Sequence, residues 1–109
     1  MKFLVIIEGV PGQPTMPPEQ MLTLTKEMWA WSKRLTELRK TDVAYALADH
    51  AGGLMGGCGI MNANSLEELA ENLGTFPVPG MVTFKVYPLV APEVAEKLVE
   101  GALAALPKK

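Results

Sequence analysis

A chain of 109 residues that is 49% hydrophobic has room for one domain over residues 1–109 with a modest core, a size that allows but does not require sharing that core with a second copy. Its formal net charge of −2 and pI near 5.4 exclude the broad positive field that recruits nucleic acid. The lone cysteine, Cys58, excludes an internal disulfide and a cysteine-rich metal site.

Lys2-Phe3-Leu4-Val5-Ile6-Ile7-Glu8-Gly9-Val10 reads as a first strand, rich in β-branched residues. Glu8 interrupts the apolar run long before a membrane span or secretory signal forms, so the expected setting is cytoplasmic, with no membrane partner. Alternation puts Phe3, Val5 and Ile7 on one face and Leu4, Ile6 and Glu8 on the other, and a sheet covered on both sides would explain why both sets are apolar. Glu8 is the exception, since a carboxylate needs a partner or a wet cavity mouth. After the turn-rich Pro11 to Pro18, a helix is expected over Glu19 to Lys40. Met21, Leu24, Met28, Trp31, Leu35 and Leu38 form its core-facing stripe. Leu22 and Trp29 lie off that stripe, as peripheral packing, a dimer contact or a cavity wall. The basic residues Lys33, Arg34, Arg39 and Lys40, interleaved with Glu37, read as a solvated helix face, with a phosphate- or anion-facing role as the alternative.

Val43 to Asp49 reads as a second strand, with helix as its competitor, because His50-Ala51-Gly52-Gly53 breaks the chain sharply. Its Ala44, Ala46 and Ala48 face can lie close beneath a helix. Leu54 to Met61 fits a third strand whose glycines mark close packing or pocket space above them. No Lys-Ser or Lys-Thr ending and no Gly-x-Gly-x-x-Gly spacing makes it a nucleotide loop. Ser65 and Glu68 carry a capping-box spacing that opens a short helix, and Gly74 stands where the chain leaving it would take positive φ. Met81 to Leu89 supplies the last strand and Pro92 to Leu106 a last helix, with Ala95, Leu98, Val99, Ala102, Leu103 and Leu106 on its apolar side.

The order β-α-β-β-α-β-α, the long helix Glu19 to Lys40, the small-residue hairpin Tyr45 to Met61, the capped Ser65-Leu66-Glu67-Glu68-Leu69 and the ending Phe76 to Leu89 with its Tyr87-Pro88-Leu89 resemble one superfamily. It is the dimeric α+β barrel, or ferredoxin-like, superfamily, and within it the muconolactone-isomerase-like small stand-alone domains. The resemblance implies an α+β fold: a split βαβ antiparallel sheet with helices on one face, here with an added C-terminal helix. It also implies a homodimer or higher homo-oligomer built by packing sheet faces, and cavities between sheet and helices for small acidic, aromatic or haem-related ligands. Relatives perform isomerisation, dehydration, oxygen-dependent chemistry or no established chemistry, and the muconolactone-isomerase comparison implies an acid/base site.

With the first and last strands adjacent, as that fold implies, Glu8 can share a cleft with Lys85 and Tyr87. There it would move a proton while Lys85 holds an acidic substrate, or the two form a salt bridge at the sheet end. His50 is the other candidate proton relay, or caps the hairpin. Trp29, Tyr45 and Tyr87 can line an aromatic-compatible pocket or pack as core. Cys58 reads as buried filler rather than a nucleophile, and the methionines as adaptable packing. No cofactor is expected: His50 with Met55 and Met61 forms no haem motif, and no carboxylate–histidine spacing makes a metal site. The expected function is binding of a small organic, acidic ligand with isomerase-like proton transfer, and the competing class is a non-enzymatic structural or regulatory dimer.

Overall fold

The computed structural model describes residues 1–10, 16–48 and 54–107. They form β1 (Lys2–Gly9), α1 (Pro18–Glu37), β2 (Thr41–Ala48), β3 (Leu54–Asn62), α2 (Leu66–Leu73), β4 (Val82–Leu89) and α3 (Pro92–Ala104), with a 3-10 turn at Pro79–Met81. The sheet has four strands in the order β2-β3-β1-β4, and each neighbouring pair is antiparallel. The split βαβ architecture expected from the sequence is the observed one.

Alternation along β1 decides which face is buried. Phe3 and Val5 point towards the helices and are fully buried. They meet Trp31 and Leu35 of α1, Leu69 and Leu73 of α2, Met61 of β3, and Phe76. Phe76 is held edge-on between Trp31, with ring centroids 5.1 Å apart, and Phe84, at 5.5 Å. Such edge-to-face pairs add about 0.5–1.5 kcal/mol beyond area burial. Burying Trp31 requires a partner for its indole N–H. Thr75 Oγ1 accepts that hydrogen bond at 2.8 Å and donates to the Asn72 carbonyl at 2.7 Å.

The second face of the sheet carries Leu4, Ile6, Val43, Cys58 and Ile60, all half-buried, and among the described residues no helix covers it. The expected two-sided cover is therefore absent from a single chain. At one corner, Lys2 Nζ donates to Asp42 and, at 3.0 Å, to Asn62 Oδ1, while Asn62 Nδ2 also donates to Asp42. This cluster ties β1, β2 and β3 together.

Helix ends follow local chemistry, with one reversal. Ser65 caps α2, its Oγ accepting from Glu68 N at 3.1 Å, and the Glu68 carboxylate accepts from Asn64 N at 2.8 Å. Gly74 does not take positive φ: at φ −64° it continues the helical conformation, and its N–H reaches the Ala70 carbonyl. The left-handed residue is Arg39, φ 60°, at the end of α1. Its N–H donates to Thr36 O at 3.0 Å and the Lys40 N–H to Leu35 O at 2.9 Å. These are the paired bonds of a Schellman ending, made without glycine.

Two expected apolar faces are less covered than their patterns imply. In the α1 stripe Trp31 and Leu35 are buried, but Met21 stands over open space and Leu38, just past the last turn, is exposed. Every residue of α3 is exposed, including Leu98 and Leu103. The Cα radius of gyration is 18.1 Å. A compact chain of this length has about 13 Å. The last helix therefore extends away from the body rather than folding back on it.

Candidate functional site

Between α1 and the helix-facing side of the sheet lies a cavity of about 290 Å³. Its floor is β3, where Gly57 and Gly59 occupy the inward positions. A Cβ at Gly57 would sit 3.4 Å from Trp29 Cη2, and one at Gly59 would meet the Val43 carbonyl at 2.8 Å. Any larger residue at position 57 would enter the cavity. Ala44 lies beside this floor beneath α1, but Ala46 and Ala48 are exposed, so only the start of the small face of β2 is covered.

The roof is α1. Met21, Thr25, Met28, Trp29 and Ser32 recur at helical spacing along its lower side. Val5 and Ile7 close one side, Met81 and Val82 the sheet end, and Trp31, Met61 and Phe76 the inner end. The surface is overwhelmingly apolar. Thr25 Oγ1 donates to the Met21 carbonyl at 2.8 Å, so that hydroxyl retains only acceptor capacity for a visitor.

The expected site residues divide between the two faces of the sheet. Trp29 lines the cavity and is 36% exposed, which makes it a cavity wall rather than core. Tyr45 borders the same space, and its carbonyl oxygen lies 3.4 Å from the Gly57 Cβ position. Its register opposite Cys58, which pairs with Ile6 and through it lines up with Lys85, puts the largely exposed Tyr45 side chain on the uncovered face. Glu8 and Lys85 meet on that face too, with Glu8 Oε1 3.4 Å from Lys85 Nζ and both side chains about half exposed. Tyr87, opposite Leu4, shares it. Neither Glu8, Lys85 nor Tyr87 lines the cavity. His50 lies outside the described residues.

Among the described residues Asp42 is the group whose titration is clearly displaced. Hydrogen bonds from Lys2 and Asn62, with the Lys2 charge, hold its carboxyl below the usual carboxylate range. It stands at the sheet corner and does not line the cavity, although its neighbour Thr41 does. Among the described residues no group of three or more His, Cys, Asp or Glu side chains could hold a metal ion, and no helix is long and apolar enough to cross a membrane.

The glycine floor was legible in the sequence as pocket space above β3, but Thr25 and Ser32 were not legible as site residues. Their seven-residue spacing beside Met28 and Trp29 is the signal that could have found them.

The strand order and the crossovers define an α+β fold of the ferredoxin-like, split βαβ kind. Two solved structures carry it. One is 5-chloro-2-hydroxyhydroquinone dehydrochlorinase (TftG) from Burkholderia phenoliruptrix AC1100, in complex with 2,5-dihydroxybenzoquinone, with a TM-score of 0.66 and 19% identity over 86% of this chain and 98% of that one. The other is muconolactone isomerase, with a TM-score of 0.67 and 20% identity over 84% of this chain and 92% of that one. No family model and no curated protein matches the sequence.

Proposed function

We propose that this protein is a homo-oligomeric barrel that binds a small organic molecule in the cavity beneath α1. The carrying observation is the glycine floor under Trp29. Protein interiors are close-packed with few voids larger than a water molecule, so an apolar space of about 290 Å³ held open by backbone is space kept for an occupant. A filled interior would have favoured the non-enzymatic structural reading. The dihydroxybenzoquinone in the complex of the dehydrochlorinase, a protein of the same fold, supports a ligand of ring size. Ligand-observed NMR with a library of small organic molecules should give hits whose signals vanish when Gly57→Leu fills the floor. Hits indifferent to that substitution would place binding elsewhere and overturn the reading.

The oligomer is supported by two uncovered apolar surfaces, the outer sheet face and α3. A helix of 13 residues is marginal alone in water, and α3 carries Leu98, Val99 and Leu103 with no cover from the described residues of its own chain. A second copy, presenting the same surfaces, covers both.

The Glu8–Lys85 pair favours a second reading, isomerase-like proton transfer on an acidic substrate. A carboxylate and an ammonium 3.4 Å apart beside Tyr87 can move a proton and hold an anion where a second copy closes the sheet face over them, with His50 as the alternative relay. On that reading Glu8→Gln lowers kcat at least 100-fold with little change in KM. A variant with unchanged turnover would leave the pair as a salt bridge.

A further inference from the structure

α3 follows the split βαβ body as an appended helix with no cover, and a second surface of the same chain matches it in apolar pattern and charge. We propose that α3 of one copy docks along the flank of α1 formed by Leu22, Lys26, Trp29 and Lys33 in a second copy, and that the second copy returns the contact. This rests on the homo-oligomeric reading above and names the surface that receives the helix.

The receiving surface comes from helical spacing. At about 100° per residue those four side chains fall on one narrow strip of α1, on the opposite side of the helix from the buried Trp31. Leu22 is 69% exposed and Trp29 36%, and an ammonium stands beside each. Glu19 and Glu37 lie further round, at the two ends of the strip. Trp29 and the neighbouring Met21 also border the cavity, so a helix on this flank lies along its rim.

The docking helix carries the complementary edge. Around α3, Glu96 and Glu100 follow Val99 and Leu103 on one side of the apolar face, and Lys97 points away from that face. A shallow depression bounded by Ala95, Glu96, Val99 and Glu100 lies on this edge and suits a single projecting side chain such as Leu22. Among the described residues neither Lys26, Lys33, Glu96 nor Glu100 has an ion-pair partner. Contact between the two helices pairs opposite charges beside apolar side chains. Antiparallel pairing of α3 with α3 would bring two acidic edges together, and an anionic lipid surface would meet the same repulsion.

The partner is a second copy because α3 cannot reach the α1 flank of its own chain. Two residues, Val90 and Ala91, join it to β4, the sheet edge opposite β2. The flank faces the β2 side, where Ala44 and Tyr45 share the cavity with Trp29. A contact that each copy gives and receives closes as an isologous pair.

Sedimentation equilibrium and tryptophan emission of the full chain test this. Trp31 is buried within the chain, so a change in emission reports the exposure of Trp29 to water. Lys26→Glu with Lys33→Glu should weaken self-association by about 10-fold or more and shift emission to the red, and so should Glu96→Lys with Glu100→Lys. Mixing the two double variants should restore both association and emission, because each contact in the mixed pair again joins opposite charges. If the unaltered chain stays monomeric at every concentration, the oligomeric reading fails and this inference with it. If an oligomer forms but is indifferent to either reversal, or mixing restores nothing, the oligomer stands and α3 docks elsewhere, which overturns the inference.

Discussion

Trp29 on α1 packs over Gly57 on β3 at the edge of the cavity, with 3.4 Å between Trp29 Cη2 and the position a Cβ on residue 57 would take. That separation is ordinary van der Waals contact. Gly57→Ala should therefore fold, and relief of the strand's glycine entropy should leave stability unchanged or raised by about 0.5 kcal/mol. Affinity for any cavity ligand should fall at the same time. Urea unfolding beside a binding titration separates the two effects, and a destabilisation above about 2 kcal/mol would contradict the geometry.

Gly56, one residue earlier, should behave in the opposite way. Its φ of +155° is rare for a side-chain-bearing residue, and an added Cβ would lie 2.0 Å from the Ile7 carbonyl oxygen. Gly56→Ala must displace β1 from β3 where Glu8 pairs with position 56. A loss of about 3 kcal/mol or more is expected, from strain and a broken ladder together. Equilibrium unfolding measures it directly.

Arg39 holds a left-handed conformation at φ 60° with no glycine to ease it. The conformation costs a residue with a Cβ roughly 1 kcal/mol, so Arg39→Gly should stabilise the protein by about that amount. Arg39→Val should destabilise it, because β-branching disfavours positive φ most. A shift in thermal midpoint of opposite sign for the two variants is the expected result.

Leu98 and Leu103 lie on one side of α3, 67% and 63% exposed in the single chain. Burial against a second copy is worth about 1.5–3 kcal/mol for each such side chain. The double variant Leu98→Glu, Leu103→Glu should shift sedimentation towards the monomer and lower helical ellipticity, since an unsupported helix of this length frays. Unchanged mass and helicity would show that α3 needs no such cover.

Asp42 supplies a pH dependence whose sign follows from its partners. Its carboxyl is held below the ordinary range by Lys2 and Asn62, so the folded state favours the ionised form. The resulting stability is fully present above the unfolded-state value and is lost as pH falls through the lower, folded value. The pair is exposed, so salt should weaken it. Comparison with Asp42→Asn should show a stability gap at neutral pH that closes in acid and narrows at high ionic strength.

Local order was legible because local chemistry sets it. The two-residue alternation of β1, the Ser65–Glu68 cap and the proline before α3 act over a few bonds, and each element appeared where its pattern pointed. Gly74 and Arg39 show where such reading fails. Either residue could end a helix, and the choice of left-handed corner belongs to the route the chain must take from α1 into β2.

By itself, then, the sequence determined the elements, their order, the buried face of β1 and the bareness of β3, all consequences of residue type and short-range geometry. Only the tertiary structure decided that the bare glycines of β3 lie under Trp29, while Glu8 and Lys85 meet on the far side of the same sheet. Which groups share a space depends on strand register and helix placement, set by contacts between residues far apart in the chain.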